Sequence, residues 1–342
     1  MKFHKHIKTK NMSLQNIRLE VMQTLEKSID TFVDKFLIKP EKIWQPTDFL
    51  PNSQSENFME EVEEIREISK ELDDDFWVVL VGDTITEEAL PTYESWLLDV
   101  EGISQHNNEG GDNGWAKWIR AWTGEENRHG DVLNKYLYLS GRVNMREVEI
   151  TTQHLIADGF DIGTARDPYK NFVYTSFQEL ATYISHNNVA KIAREKGHKL
   201  LAKMSKIIAG DEMRHHLAYV EFVKQIFNYD PSEMMLAFQQ MMKHKIVMPA
   251  LHLRHSFEAK GTLFDQFSVI AQRTGIYTGF DYVSIIDKLN NTWQIDSIVG
   301  LTDEAEKARD YLMKLPERMY RITERIIVPD TKFEFKWMNP IS

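Results

Sequence analysis

Two short motifs of the chain can bind metal ions, because each combines an acid, a Glu, an Arg and a His in the same order. They are Glu125-Glu126-Asn127-Arg128-His129 and Asp211-Glu212-Met213-Arg214-His215. Both lie in sequence with helical periodicity, and residues three apart share one face of a helix. Glu126 with His129, and Glu212 with His215, can therefore each offer one oxygen and one nitrogen to a metal. Two such pairs predict two metal ions.

A third Glu-x-x-His spacing, from Glu195 to His198, indicates that the spacing alone is a weak signal in a chain with 12 histidines. Gly197 interrupts this segment, which has neither the preceding acid nor the Arg before the His. We interpret His198 as a cation at a solvated helix C-terminus, where positive charge is favourable. Surface helices with salt-bridged Arg and His are the alternative for the two motifs, but they leave the duplication unexplained.

Each motif follows a helical segment with a candidate lone carboxylate, which is Glu87 or Glu88 in the first case and Glu179 in the second. One Glu from each of two helices, with Glu-x-x-His from each of the other two, is the ligand set of ferritin-like dinuclear sites. Oxygen-rich ligands with one imidazole per metal suit iron or manganese better than zinc or copper. Thr182 shares the face of Glu179, where its hydroxyl could steer protons or oxygen; a helical Thr more often bonds to its own backbone.

The elements that must position these residues are helices, because helical periodicity and Leu, Glu and Lys dominate the chain. We expect helices near residues 15–38, 53–72, 74–102, 115–140, 146–160, 168–197, 199–227, 231–246, 261–274, 280–293 and 302–327. The predicted fold class is all-α, a ferritin-like di-iron four-helix bundle core at about 74–227 enlarged by additional helices. It forms a single domain at 15–342 after a flexible tail at 1–14.

Three local signals refine this picture. Pro91 predicts a bend in the third helix, because it cannot donate a hydrogen bond to the Glu87 carbonyl. Turn-forming residues predict breaks, among them the Asn and Gly cluster from Asn107 to Gly114. Phe333, Phe335 and Trp337 alternate with charged residues, which predicts a short C-terminal strand or β-hairpin.

The composition excludes several classes of protein. A net charge of -11, from 41 Lys and Arg against 52 Asp and Glu, argues against a nucleic-acid binder. The absence of cysteine excludes disulfides, zinc-thiolate sites and Cys nucleophiles. No apolar run approaches the roughly 20 residues that span a bilayer, so we expect a soluble protein. An acidic partner needs a local patch, and the candidate is Lys243, His244 and Lys245, followed by Arg254 and His255; a solvated helix end is the alternative.

Six stretches, the two motifs included, resemble the soluble acyl carrier protein desaturases, the stearoyl-type Δ9 enzymes of plant plastids and their bacterial relatives. They are Trp44-Gln45-Pro46 with Asp48-Phe49-Leu50-Pro51, Gly82 to Tyr93 (GDTITEEALPTY), Ala121 to Asp131 (AWTGEENRHGD), Tyr174 to Glu179 (YTSFQE), Asp211 to His215, and Phe264 to Tyr277 (FDQFSVIAQRTGIY). Val299-Gly300-Leu301 is a weaker match. Together the matches cover nearly the whole chain from about residue 20 to Trp337.

This resemblance implies a ligand set for two iron ions, which are Fe2+ in the reduced state. The implied ligands are Glu87, Glu126, His129, Glu179, Glu212 and His215. Glu126 and Glu212 would bridge the irons, and Glu87 and Glu179 would each serve one. Glu88 stays the alternative to Glu87, because the loop between the first two ligand helices differs in length from that of the family. The resemblance also suggests an electron path from Trp44 through Asp211 to His129.

The implied activity is O2-dependent insertion of a cis double bond into a saturated acyl chain on acyl carrier protein. The family's electron donor is ferredoxin, and its assembly is a homodimer. An alkyl chain offers no acidic proton and no polar handle, so an oxidising cofactor is required. The carrier protein would dock outside, with Lys243 and Lys245 as candidates, while the acyl chain enters an apolar tunnel past the irons.

The candidate tunnel residues lie beside the ligand helices, although bundle core is the alternative for each of them. They are Trp96, Leu97, Val100, Phe172 and Tyr174. Trp96, Asp99 and Asn171 depart from the plant pattern, which has a Met and smaller residues there. These departures leave the chain length and the double-bond position open.

Two other functions fit similar ligands. One is a different dinuclear lipid oxygenase, which hydroxylates or deformylates its substrate. The other is a ferritin-like ferroxidase or iron store, although such proteins are typically about half this length. We expect a bacterial cytoplasmic enzyme, with the plastid stroma as the alternative location.

Overall fold

The computed structural model describes residues 16–103 and 114–338. The predicted tail at 1–14 and residues 107–113 of the predicted Asn and Gly break lie outside the described residues. The helices are α1 (16–26), α2 (Ile29–Phe36), α3 (Phe58–Ser69), α4 (Asp74–Glu88), α5 (Leu90–Leu98), α6 (Gly114–Ser140), α7 (Met145–Asp158), α8 (Pro168–Glu195), α9 (Lys199–Tyr229), α10 (Pro231–His244), α11 (Phe264–Thr274), α12 (Gly279–Thr292) and α13 (Asp303–Thr323).

Four of these helices form the central bundle. α8 packs along α9, α4 packs along α6, and contacts between α6 and α9 join the two pairs. The other helices surround this core: α7 and α11 lie on α4, α10 and α12 lie on α8, and α13 covers α10 and α12. None of the helices within the described ranges is long and apolar enough to cross a membrane. The all-helical prediction is confirmed, and the bundle is consistent with the predicted ferritin-like core.

The predicted third helix is two helices rather than one bent helix. α4 ends at Glu88, and α5 begins at Leu90 with Pro91 in its first turn. Because Pro91 has no N–H group, the hydrogen-bond ladder of α4 cannot continue through it. The amide of Ala89 instead bonds to the carbonyl of Thr86, at 3.3 Å. The break therefore places both candidate first ligands in the last turn of α4.

The predicted C-terminal β-hairpin is wrong for the residues that the structure describes. Phe335 and Trp337 are buried while Glu334 and Lys336 are exposed, so the alternation in the sequence does describe an extended segment. This segment lies against α7 and the residues before it, where the Asn144 amide donates to the Trp337 carbonyl at 2.7 Å. A single antiparallel bridge, between Val143 and Met338, is formed. The chain enters α7 two residues after Val143, so the pairing does not continue into a β-sheet within the described residues.

His198 is not the solvated cation that the sequence predicts. It is the N-cap of α9 and only 1% exposed, and its Nδ1 accepts a hydrogen bond from the Leu201 amide. Nε2 therefore carries the proton of the neutral ring and faces the Tyr136 hydroxyl at 2.8 Å. Burial lowers the pKa of His198 to about 4. A protonated ring would lose the cap and place positive charge at a helix N-terminus, which the helix dipole disfavours.

We expect His198 to make the fold sensitive to acid. Its pKa is about 4 in the folded chain and about 6.5 when unfolded, so the unfolded chain binds more protons between these values. Stability therefore falls as the pH drops from about 6.5 to 4, by on the order of 2 kcal/mol from this residue. His198→Asn keeps a capping oxygen without a titrating ring. Urea unfolding at pH 7 and pH 5 should give a smaller loss for the variant; an equal loss would contradict this account.

Candidate metal centre

Six side chains from the four central helices meet in the bundle core. They form two overlapping groups whose candidate ligand atoms lie within 4.8 Å of one another: Glu87, Glu126, His129 and Glu212 in one, and Glu126, Glu179, Glu212 and His215 in the other. Glu126 and Glu212 belong to both groups. These are the six residues predicted as ligands, and the two shared glutamates are the two predicted as bridges. The helix-pair spacing in the sequence therefore brings the predicted side chains together.

Both histidines aim Nδ1 at the carboxylates. His129 Nδ1 lies 3.2 Å from Glu126 Oε2 and 3.1 Å from Glu212 Oε1. His215 Nδ1 lies 2.5 Å from Glu126 Oε1 and 3.7 Å from Glu179 Oε2. Despite this proximity, neither Nδ1 atom has a partner in hydrogen-bond geometry among the described residues. The same is true of one oxygen each of Glu126, Glu179 and Glu212, so these buried atoms converge as metal ligands do.

The charge of the cluster also fits metal ions. Its four carboxylates carry four negative charges when ionised, which two divalent cations would balance. Burial raises the pKa of Glu179 well above its usual range, and the neighbouring Glu126 adds to this shift. Arg128 and Arg214 do not relieve the crowding, because they pair with acids outside the cluster. Carboxylates in such a site need a cation or a proton, and oxygen-rich ligands suit iron or manganese.

A second layer of carboxylates holds the two histidine rings from behind. His129 Nε2 lies 3.3 Å from Asp211 Oδ2, and His215 Nε2 lies 3.0 Å from Glu125 Oε2. Each acid therefore holds the histidine of the other motif, so the pairs cross between α6 and α9. The Arg214 guanidinium donates to both acids, at 2.7 Å to Glu125 and 2.6 Å to Asp211. Such partners fix the tautomer and orientation of a ligating histidine.

The sequence analysis did not predict the function of Glu125 or of Arg214. The signal was present, because both motifs begin with an acid and carry an Arg before the His. Their function becomes visible only when α6 and α9 are placed side by side, since each contact joins one motif to the other.

Glu87 and Glu88 point to different parts of the structure. Glu87 belongs to the cluster, and its Oε1 lies 3.0 Å from His186 Nε2. Burial alone would raise the pKa of Glu87, but His129 and His186 lower it to about 2. Glu88 faces away and accepts from the Asn134 amide at 2.8 Å. The geometry therefore favours Glu87 as the ligand.

His186 is a third residue near the cluster that the sequence analysis missed. It is 1% exposed and lies on α8 at the helical spacing of Glu179 and Thr182, which is the signal that could have found it. The predicted Thr182 hydroxyl lies 2.6 Å from Glu212 Oε2 and 3.0 Å from the Glu179 carbonyl. Its one proton can serve only one acceptor at a time. Both interpretations of Thr182, the site contact and the backbone contact, are therefore present in the geometry.

The residues of the suggested electron path are in contact. The Trp44 indole donates to Asp211 Oδ2 at 2.8 Å, and the same oxygen faces His129. The indole also stacks on the His129 ring, with 6.0 Å between the centroids and 8° between the planes. The guanidinium carbon of Arg128 lies over the Trp44 ring, 5.0 Å from its centroid. These contacts connect the half-buried Trp44 to the metal centre through one carboxylate.

The predicted tunnel residues lie on α5, just after α5, and on α8. Leu97, Val100, Phe172 and Tyr174 are buried, and Trp96 is half-buried. The Trp96 ring lies edge-on to Tyr174, with 6.1 Å between centroids. Asp99 is paired with Arg166 at the surface, at 3.0 Å. Asn171 is buried and donates to the Thr164 hydroxyl at 2.9 Å. Lining of a tunnel by these residues stays a prediction.

The predicted docking residues are exposed at the end of α10. Lys243 and Lys245 both reach solvent, and the Lys243 ammonium lies 5.3 Å from the centroid of the Tyr311 ring. Arg254 is instead paired with Asp158, and His255 is 3% exposed. The accessible part of the predicted basic patch is therefore at Lys243 to Lys245.

Comparisons with known proteins agree with this geometry. The family described as fatty acid desaturase matches residues 17–339. A chloroplastic stearoyl-[acyl-carrier-protein] 9-desaturase of Spinacia oleracea is 48% identical over 92% of this chain and 78% of its own length. The Ricinus communis protein of the same name is 50% identical over 87% and 76%. The solved structure of a candidate acyl-ACP desaturase from Mycobacterium tuberculosis shares the fold, with a TM-score of 0.53, 18% identity, and coverage of 85% of this chain and 99% of that one.

Replacing the two adjacent glutamates separately tests the ligand assignment. Glu87→Gln should weaken the binding of one of two metal ions by about 10-fold or more, because the loss of a contact behind a ligand already costs about 10- to 100-fold. Glu88→Gln should keep both ions, because Glu88 faces Asn134. Iron per chain, measured by plasma mass spectrometry after dialysis against a chelator, checks both variants. Iron loss from Glu88→Gln alone would reverse the assignment.

Proposed function

Because this chain belongs to the fatty acid desaturase family, we propose that it desaturates a saturated acyl chain carried on acyl carrier protein. O2 is the oxidant, and ferredoxin supplies the electrons. The observation that carries the proposal is the buried cluster of four glutamates and two histidines in a chain 48% identical to a stearoyl-[acyl-carrier-protein] 9-desaturase. We propose two iron ions as the metals, since the cluster offers oxygen-rich ligands with one imidazole for each.

The reaction requires redox chemistry, because an alkyl chain has no group that acids, bases or nucleophiles can attack. When bound, the irons supply the one-electron chemistry that activates O2 toward unactivated C–H bonds. The overall change balances as R-CH2-CH2-R' plus O2, two electrons and two protons giving R-CH=CH-R' and two waters. Two hydrogens leave the substrate, and O2 accepts them with the two electrons and two protons.

The side chains of the site would hold the two metal ions. Glu126 and Glu212 would be shared by both ions, Glu87 would serve one, and Glu179 would serve the other. Asp211 and Glu125 accept hydrogen bonds from the Nε2–H groups of the two histidines. This leaves the lone pair of each Nδ1 free to bind a metal. The Thr182 hydroxyl can donate to Glu212 Oε2, at 2.6 Å, and so orients a bridging carboxylate and holds a proton beside the ions.

The acyl chain would reach the cluster from the side of α5. Tyr174 supports this direction, because it lies on α8, the helix that carries Glu179, and its ring is edge-on to that of Trp96 on α5, with 6.1 Å between centroids. The Tyr174 hydroxyl donates to the Val247 carbonyl at 3.0 Å. Lys245 lies two residues before Val247, at the exposed end of α10. A carrier protein held at Lys243 and Lys245 would thus lie near Tyr174.

Other expectations stay predictions. A homodimer is the expected assembly. Bacterial cytoplasm is the expected location, and the chloroplast names of the relatives support the alternative, the plastid stroma. A different lipid oxygenase stays the alternative enzyme, and a ferritin-like iron store is the less favoured alternative. Both differ from a desaturase in their products.

Product analysis tests the reaction directly. Iron-loaded protein should convert 16- or 18-carbon acyl carrier protein, with reduced ferredoxin and O2, into an acid two mass units lighter. Gas chromatography with mass spectrometry identifies this product, and derivatisation of its double bond gives the position. The Glu126→Gln variant serves as the control and should give no product above background. An oxygenated or shortened acid would instead indicate the oxygenase.

Charge reversal tests the docking patch for the acyl carrier. Lys243→Glu with Lys245→Glu should raise the KM for acyl carrier protein by about fivefold or more at low salt, because both positions would then repel an acidic partner. Iron content and the kcat at saturating substrate should stay near wild type. Steady-state kinetics at two salt concentrations check this, since screening should reduce the difference. An unchanged KM would contradict the docking assignment.

A further inference from the structure

Of the six predicted ligands, Glu87 alone lies in the last turn of a helix. α4 ends at Glu88, and the chain breaks there before Pro91. The other five ligands lie well inside the long helices α6, α8 and α9. Helix ends fray, because the backbone groups of the last turn lack partners within the helix. The Glu87 side chain therefore needs support from outside α4 to keep a fixed position.

His186 on α8 supplies this support. Its ring is 1% exposed, and its Nε2 lies 3.0 Å from Glu87 Oε1. Because an ionised carboxylate can only accept hydrogen bonds, Nε2 carries a proton and donates it to this contact. The other oxygen, Glu87 Oε2, lies 3.7 Å from Nδ1 of the ligand His129. The contact with His186 therefore holds the carboxylate with its second oxygen toward the cluster.

A second hydrogen bond joins the same two helices next to this contact. The Ser185 hydroxyl donates to Asp83 Oδ2 at 2.8 Å. Asp83 and Glu87 are four residues apart on α4 and so share one helix face, and Ser185 is adjacent to His186 on α8. The two contacts together tie the C-terminal part of α4 to α8.

Packing alone does not account for an imidazole at this position. His186 Nδ1 has no hydrogen-bond partner among the described residues. A buried polar atom in that state costs free energy, which an apolar side chain of similar size would avoid. The favourable contact of the ring is the one that Nε2 makes with Glu87, so this contact gives the histidine its use.

We propose that His186 is a positioning residue that fixes Glu87 for one of the two metal ions. The inference rests on the proposed function, which places two ions in the cluster. His186 belongs to neither ligand group, so it acts through Glu87. Glu179, the ligand proposed for the other ion, has no such support at Oε1, which lacks a hydrogen-bond partner among the described residues. Loss of His186 should therefore weaken the binding of one ion and spare the other.

Two substitutions of His186 separate its contact from its packing. His186→Leu removes the N–H donor and should weaken one of two Fe2+ binding steps by about 10-fold or more, with the other step within about twofold of wild type. His186→Gln keeps an N–H donor near the position of Nε2 and should stay closer to wild type. Anaerobic titration of the metal-free protein with Fe2+ against a chelator measures both steps without turnover. If His186→Leu does not fold, His186→Asn replaces it, because the shorter amide does not reach Glu87.

Two controls show whether His186 acts through Glu87. His198→Leu removes another imidazole of 1% exposure and should leave both steps within about twofold of wild type, because His198 contacts Tyr136 rather than the cluster. Glu87→Gln with His186→Leu should bind Fe2+ little more weakly than Glu87→Gln alone, because the two residues act as one unit.

The titrations decide the proposal independently of the reaction. Wild-type affinity in His186→Leu, or an equal loss in His186→Gln and His186→Leu, would overturn it. So would an equal loss in His198→Leu, which would show a general effect on the fold. Two bound ions in wild type without any desaturated product would overturn the proposed function instead, while the Fe2+ affinities would still decide the role of His186.

Discussion

Four carboxylates and two imidazoles share one space between α4, α6, α8 and α9, and almost no water reaches it. Glu126, Glu179 and Glu212 are each at most 6% exposed, and both ligand histidines are fully buried. Ionised groups in such surroundings repel one another and lack solvation, so their placement costs folding free energy unless cations neutralise them. The four central helices must therefore hold the cluster in place by packing elsewhere. The surrounding helices provide that packing, because they bury the outer faces of α4 and α8.

The crossed pairs Asp211–His129 and Glu125–His215 set the register of α6 against α9. Successive residues of a helix are turned by about 100°, so a shift of either helix by one residue would separate both pairs and misdirect both Nδ1 atoms. Arg214 joins the two acids and also donates to the Phe36 carbonyl. Arg214 thereby ties the end of α2 to the two acids. In the segment that follows α2, the Trp44 indole donates a hydrogen bond to Asp211. Ligand geometry and helix register thus depend on one small set of contacts.

The sequence was sufficient for most of the helices and for five of the six candidate ligands, because helical periodicity and the duplicated spacing are local signals. The spacing left Glu87 and Glu88 open, and only Glu87 lies in the cluster. The residues that it missed make their contacts between elements. No local sequence pattern predicts that Glu125 contacts His215 or that His186 contacts Glu87. The end of α8 shortly before His198 predicts a solvated cation. In the structure His198 is instead the N-cap of α9 and is buried. Phe335 and Trp337 show the alternation of a strand, but the neighbouring element is a helix, which has no free backbone groups to form a sheet with them.

The contacts behind the metal centre join distant parts of the chain. The Trp44 and Asp211 side chains are 167 residues apart in sequence, and Arg128 and Asp211 are 83 apart. Contacts between distant residues form slowly, because loop closure must precede them. The helices can form early from local signals, but the histidine rings acquire their orientation only after α9 and the Trp44 segment have docked. We therefore expect the scaffold to assemble before the ligand geometry, so that the arrangement able to bind metal ions forms late in folding.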